Sequence, residues 1–358
     1  MGKAVLILGA GLVGSSLGLA LTRVGYDVRL WDIAPSHAVV AAGLGAGAVA
    51  DEETDNPDIV VVATPPDAIP SLVAEVLEKF PRAVVTDVGS VKAPILAAVR
   101  RLAPEHQRYV GSHPMAGSQF TGPLTASGDL FVDRTWVVTP NEGNPPGAVA
   151  VIERLAQDVG ARVVTMPAPL HDEAVAQVSH VPHLMSILTA SHLREVPTAN
   201  LRLAGQGIRD VTRIAGSDPA LWRQILTSNA AAVRHELLEV AADLSHLIQV
   251  LDDPAALERF LAMGQTGALS LVGKHGAEPI DMLDVTVEIP DEPRALGRLF
   301  TDIGDAGFNV EDFELTHDPA RQVGYLSISV ESDVAEKLRV RLTDAGWHAW
   351  SDNRGGRR

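Results

Sequence analysis

The chain has no cysteine, which excludes disulfides, thiolate metal sites and a cysteine nucleophile and suits a reducing compartment such as the cytoplasm. It has no surplus of positive charge: 29 Lys and Arg stand against 45 Asp and Glu, a formal net charge of -16. The basic residues are scattered, so no face for a phosphate backbone is built and no nucleic-acid partner is expected. No apolar run reaches the roughly 18 to 20 residues of a membrane span. The first apolar segment, Ala4 to Leu8, runs into glycines and not into a cleavage site. No membrane partner is expected, and the location is read as cytoplasmic. What the chain does have is length, 358 residues of which 46% are hydrophobic, more than one core serves, so several domains are expected.

The first half alternates. Ala4-Val5-Leu6-Ile7-Leu8 has strand length, and Gly9-Ala10-Gly11-Leu12-Val13-Gly14 leads from it into a helical pattern. In that setting Gly9 permits a tight turn, Gly11 lets a pyrophosphate approach the backbone, and Gly14 lets the helix lie close to the strand. The phosphates would sit at the helix N-terminus, over Leu12 and Val13. A second strand, Val28 to Trp31, ends in Asp32, where a carboxylate meets the adenosine ribose and repels a 2'-phosphate. The expected cofactor is NAD. Further strands near 59–63 and 83–85, each followed by a helix, imply a parallel, doubly wound sheet. Thr64, Ser90 and Lys92 fall at the carboxyl ends of these strands, where such sheets bind ligands. Ser90 also competes for the role of helix N-cap, and Lys92 taken alone reads as a solvated first-turn residue.

Gly111-Ser112-His113-Pro114-Met115-Ala116-Gly117 presents one histidine in what reads as a tight polar loop. Pro114 forbids a regular helix or central strand and biases His113 toward an extended backbone. After residue 165 the strands stop and helical periodicity runs from about Leu170 to Val272. Asp218-Pro219 caps a helix that reads as unbroken to Leu251, roughly 48 Å at about 1.5 Å per residue. Its apolar positions, Leu221, Ile225, Leu237, Leu238, Leu244, Leu247, Ile248 and Leu251, are too many for one thin layer, and a homodimer is expected. His171-Asp172 and the pair His180 and His183 invite a metal reading, but no cysteine or matching carboxylate spacing supports it; no metal is expected, and packing or a substrate pocket fits better. Arg209 and Arg213 precede a helix start, and either offers a carboxylate clamp or a salt bridge to Asp210 or Asp218. Beyond Gly276 the pattern reads strand, helix, strand, strand, helix, strand, the ferredoxin-like order.

The glycine turn with Asp32, Asp87-Val88-Gly89-Ser90-Val91-Lys92, Gly111 to Gly117, Ser179 to His183 and Thr212-Arg213-Ile214-Ala215 together resemble the prephenate dehydrogenase family over nearly the whole chain. The C-terminal unit resembles the ACT domain appended to some members. The resemblance implies three parts: an NAD-binding domain over 1–167, a helical dimerisation and substrate domain over 168–276, and an ACT-like regulatory domain over 280–352. It implies NAD-dependent oxidative decarboxylation of prephenate to 4-hydroxyphenylpyruvate. His113 would be the general base, Ser90 would orient the 4-hydroxyl, and Arg213 would clamp a carboxylate. His180, Asp210 and Trp222 would line or support the pocket. Gln119 stands where many relatives carry a glutamate, and Arg294 where the regulatory loop usually has glycine. Tyrosine is the implied effector. Arogenate dehydrogenase is the nearest alternative, then a hydroxyacid dehydrogenase or imine reductase, and more remotely an amino-acid-responsive NAD-binding sensor.

Overall fold

The computed structural model describes residues 3–51, 56–117, 121–271, 282–290, 292–308, 310, 312–318 and 323–351. Gln119, expected at a gating position, lies outside them. The chain divides into two compact units, 1–246 and 247–358.

The first unit opens with β1 (Ala4–Leu8), α1 (Leu12–Arg23), β2 (Asp27–Trp31), α2 (Pro35–Gly43), β3 (Ala48–Val49) and β4 (Ile59–Val62). It continues with α3 (Ile69–Lys79), β5 (Val84–Asp87), α4 (Ala93–Leu102), β6 (Tyr109–Pro114), β7 (Thr135–Thr139), α5 (Pro146–Asp158) and β8 (Arg162–Thr165). The strands form one sheet in the order β3-β2-β1-β4-β5-β6-β7-β8. All neighbours are parallel except β6 and β7. Strands this apolar, such as Ile59-Val60-Val61-Val62 with every residue buried, are stable only when both faces are covered. Val5, Ile7 and Val61 pack into a core with Leu17, Leu21, Ile152 and Leu155. On the opposite face Leu6, Val60 and Val62 meet Val73, Leu77, Ile95 and Val99. Each such side chain contributes roughly 1.5 to 3 kcal/mol by leaving water. The order reverses between β1 and β4, so the ligand crevice lies at their carboxyl ends.

His113 is not in a loop. It lies within β6, which pairs in parallel with β5 through Tyr109 and Val110 and then antiparallel with β7 through Gly111 to Pro114. Pro114 is tolerated because it is the last strand residue, beyond the stretch that β5 pairs.

The helical part comprises α6 (Ala168–Val175), a π-helical turn over Ala176–His180, α7 (Val181–His192), α8 (Thr198–Leu201), α9 (Gln206–Thr212), a 3-10 turn over Arg213–Gly216, α10 (Pro219–Ser228) and α11 (Ala230–Val250). The unit boundary falls inside α11. The helix expected to run unbroken from Pro219 to Leu251 is interrupted at Asn229, whose φ of -109° and ψ of 25° leave the helical region. The distortion is local, because the Asn229 amide still donates to Ile225 O and its carbonyl still accepts from Val233 N, each at 3.1 Å. The side chain is anchored elsewhere: Asn229 Nδ2 donates to the Asp172 carbonyl at 2.7 Å and contacts His180 Nδ1 at 3.2 Å.

The second unit contains α12 (Pro254–Leu269), capped by the Asp253 side chain on the Ala255 and Ala256 amides, and a separate small sheet. Its elements are β9 (Met282–Pro290), α13 (Ala295–Asp305), β10 (Asp312–Asp318), β11 (Val323–Glu331), α14 (Ser332–Asp344) and β12 (His348–Ser351), with sheet order β10-β11-β9-β12. All pairs are antiparallel. This is the ferredoxin-like plan. Val285, Val287, Leu326, Ile328 and Val330 face the two helices through Leu299, Ile303, Leu338 and Leu342.

Candidate active site

The glycine turn joins β1 to α1. Gly9 has φ of +105°, and a Cβ there would lie 2.4 Å from the Ala63 carbonyl oxygen. A Cβ on Gly14 would lie 1.9 Å from the Gly9 oxygen, whereas one on Gly11 would meet nothing within 4 Å. Gly9 and Gly14 therefore serve close packing, and Gly11 keeps open the side from which a phosphate approaches. No side chain caps α1, so the amides of its first turn, over Leu12, Val13 and Gly14, remain available to an anion. Asp32 braces this turn: its carboxylate accepts from Ala10 N at 2.7 Å and Ala34 N at 2.8 Å. An ionised carboxylate has about four lone-pair sites, which leaves room for ribose hydroxyls. At the end of β4 the Thr64 hydroxyl is buried without a partner, an orphan that a bound ligand would satisfy. The open cradle, the acid and the orphan hydroxyl fit a dinucleotide.

Beside this crevice the ends of β5 and β6 are locked by a buried ion pair. Lys92 Nζ donates to Asp87 Oδ2 and, at 2.7 Å, to the Ser112 carbonyl. Asp87 also accepts from Tyr109 Oη at 2.8 Å and from Gly89 N at 2.9 Å. Lys92 is thus not the solvated residue its position in sequence suggests. Burial pulls its ammonium below the usual lysine range, opposed by the field and hydrogen bond of Asp87, while burial and Asp87 push the Tyr109 phenol well up. Ser112 joins the lock, donating to the Asp87 carbonyl at 2.7 Å and accepting from Thr86 Oγ1 at 3.0 Å. The bonds fix the loop that carries half-buried Ser90. Ser90 is not the N-cap of α4. The Lys92 and Ala93 amides are bound instead by Asp172, eighty positions along the chain, at 2.8 Å each.

His113 is 9% exposed. Its Nδ1 contacts His171 Nε2 at 2.8 Å, and His171 Nδ1 contacts Asp172 Oδ1 at 2.8 Å. Burial first, then the fields of His171, Lys92 and His180, hold His113 well below the ordinary histidine range. It is therefore neutral near pH 7, the state a base requires.

The π-helical turn, of a kind that often marks functional sites, ends at His180. Burial pulls His180 down to about 4 and lowers His183 as well. His183 stacks on Trp222 at 3.5 Å between ring centroids, and His180 meets the same indole edge-on at 6.1 Å. Arg213, exposed on the 3-10 turn, makes no ion pair among the described residues. Asp218 instead caps α10 through Ala220 N. Asp210 is exposed and accepts from Gln206 one helical turn away; among the described residues no bond ties it to the histidine cluster. From sequence, Asn229 and Tyr109 have no role, and His171 and Asp172 are given only packing or a pocket. The adjacent His171 and Asp172 at a helix start were the one available signal.

A doubly wound sheet with a dinucleotide cradle and a buried neutral histidine on the next strands defines an NAD-dependent oxidoreductase. The family profile "Prephenate dehydrogenase, nucleotide-binding domain" matches residues 17–165, and "Prephenate dehydrogenase, dimerization domain" matches 167–264. The probable prephenate dehydrogenase NovF of Streptomyces niveus is 32% identical, over 97% of this chain and 99% of its own. Prephenate dehydrogenase of Bacillus subtilis is 28% identical, over 96% of each chain. Among solved structures, prephenate dehydrogenase from Aquifex aeolicus in complex with hydroxyphenyl propionate and NAD+ superposes with a TM-score of 0.69 at 27% identity, covering 76% of this chain and 99% of that one. The chain belongs to the prephenate dehydrogenase family.

Proposed function

We propose that this enzyme oxidises and decarboxylates prephenate to 4-hydroxyphenylpyruvate in tyrosine biosynthesis, with His113 as the base. The observation that carries the proposal is a buried, neutral histidine held rigidly beside a dinucleotide cradle. Bound NAD supplies the hydride acceptor, held by the first-turn amides behind Gly11, by Asp32 and by Thr64. His113 takes the proton of the 4-hydroxyl as hydride leaves ring carbon 4. Ser90 hydrogen-bonds the same hydroxyl and orients it. Loss of the ring carboxylate as carbon dioxide then leaves an aromatic ring. A positioned base of this kind accelerates such a step by about 10² to 10⁴.

Arg213, with its guanidinium uncommitted, clamps a substrate carboxylate, and His180, Asp210 and Trp222 border or support the pocket. Substituting Arg213 with glutamine should lower kcat/KM by about ten- to a hundredfold, the weight of one charge-assisted hydrogen bond of about 1.5 to 3 kcal/mol. The work divides among the cofactor part, 1–167, the helical part, 168–276, and the regulatory part, 280–352, in the cytoplasm. Exposed Leu238, Leu244 and Ile248 support a homodimer built through the helical part. The ferredoxin-like order of the last part supports an ACT-type effector module, with tyrosine as the effector; an inhibition curve flat into the millimolar range would retire that role.

The reaction is tested by mixing purified protein and NAD with prephenate or arogenate in parallel and following NADH and carbon dioxide. Turnover of prephenate is expected. Silence on both substrates, with NAD still bound, would refute the proposal.

A further inference from the structure

Behind His113 the buried polar groups form one chain, and its proton positions follow from elementary constraints. Asp172 is fixed at its far end, because both oxygens accept backbone amides at the N-terminus of α4, at 2.8 Å each. Both oxygens thus act as acceptors. A carboxylate only accepts, so the 2.8 Å contact to His171 Nδ1 places a proton on that nitrogen. With His171 carrying one proton, on Nδ1, its Nε2 is left as an acceptor. The 2.8 Å contact from His171 Nε2 to His113 Nδ1 then requires His113 Nδ1 to donate. The lone pair of His113 is consequently on Nε2, the nitrogen that no hydrogen bond among the described residues uses.

We infer that His171 and Asp172 are positioning residues: they lock His113 in the tautomer whose Nε2 is the base, and they hold the positive charge it acquires during the reaction. The inference rests on the oxidative decarboxylation proposed above. In that reaction the electron pair of the C4–H bond leaves as hydride to NAD, the O–H electrons become the C=O bond, and the proton binds Nε2. When the bond to the ring carboxylate breaks, its electron pair enters the ring, which becomes aromatic, and the oxygen takes the same proton back from Nε2. The proton is borrowed and returned, so the relay needs no exit and has only to stabilise an imidazolium between two steps. Lys92, itself paired with Asp87, opposes that charge from the β5 side, and a second proton on His171 would oppose it as well, so the relay works with one proton on each contact of the chain. His171 connects Asp172, the compensating anion, to His113, as a second group orients the base in other relays.

The test is ¹⁵N-histidine NMR of the full chain, combined with steady-state kinetics. Wild-type His113 should show a protonated Nδ1 and an unprotonated Nε2. His171→Leu should release it to the Nε2–H tautomer that free imidazole prefers and lower kcat about a hundredfold, with KM held within about threefold. His171→Gln, whose amide oxygen can accept from Nδ1–H, should recover kcat to within about tenfold of wild type. A wild-type His113 protonated on Nε2 would overturn the inference, a reading that needs no variant to fold. So would glutamine no better than leucine, or kcat and KM failing together. Absence of turnover by the wild-type chain would overturn the reaction instead, with the tautomer still supporting the lock.

Discussion

The two sheets of this molecule treat polar residues in opposite ways. In the eight-stranded sheet both faces are covered, and the polar side chains inside it, Thr86, Asp87, Ser112 and the adjoining Lys92, are almost wholly buried and bonded to one another. In the four-stranded sheet one face is open, and β11 alternates between buried and more exposed residues along its length. There the polar residues form a wet ladder, Thr286 with Ser327 at 3.1 Å and Ser329 with Asp284 at 2.5 Å. Burial on both faces makes an unpaired polar group expensive, so Thr86, Asp87, Lys92 and Ser112 bond to one another, and through the Lys92 amide and Asp172 the network leads to His113. On the open face water substitutes for any lost partner, and polarity there carries little information about a site.

The sharpest way to break this contrast is at the end of the buried network. His113→Asn should abolish turnover, by at least the 10²- to 10⁴-fold of a positioned base, while substrate affinity stays within about tenfold; single-turnover kinetics with a binding assay would separate the two. Next in size is Lys92→Met. It leaves the Asp87 carboxylate buried without its cation and should cost about 3 to 5 kcal/mol in denaturant unfolding. Thr286→Val on the open face should stay within about 0.5 kcal/mol in the same assay.

A pH titration sharpens the comparison further. The His180 pKa is held down to about 4 by burial, against an unfolded value near 6.5, so between those pH values the unfolded chain binds a proton that the folded chain refuses. Stability is full above about pH 6.5 and falls toward pH 4, by roughly 2 to 3 kcal/mol for this residue. His180→Gln should remove that share of the slope in unfolding curves, and His113 adds a contribution of the same sign. The smallest effect lies in the second unit. Arg294 has φ of +73°, a left-handed conformation in which a side chain costs about 1 kcal/mol, and Arg294→Gly should recover most of it, visible as a small rise in melting temperature.

Legibility followed the distance over which each feature is determined. The turn from Gly9 to Gly14 and Asp32 were readable because strand, glycines and acid follow one another within one βαβ unit. The small module was readable because its apolar residues alternate at strand and helix periods. His113 was found by its neighbours in sequence, but its place in a strand was not, since tolerance of Pro114 depends on where β5 stops pairing. The break at Asn229 leaves no trace in helical periodicity, because the backbone bonds across it keep helical spacing and its side-chain partner is a carbonyl in a different helix. The alternative role of Ser90 as cap of α4 fails for the same reason, because the cap is Asp172, eighty positions along the chain; the burial of Lys92 follows from its pair with nearby Asp87, which helical and strand periods do not reveal.

Asp172 has one more consequence. Residues that serve chemistry ordinarily weaken a fold, so a population selected only for robustness tends to lose them. Here the carboxylate that orients the histidines also closes the N-terminus of α4. A lineage that discards it gains no rigidity in return, and a screen for heat tolerance would retain it without any assay for activity.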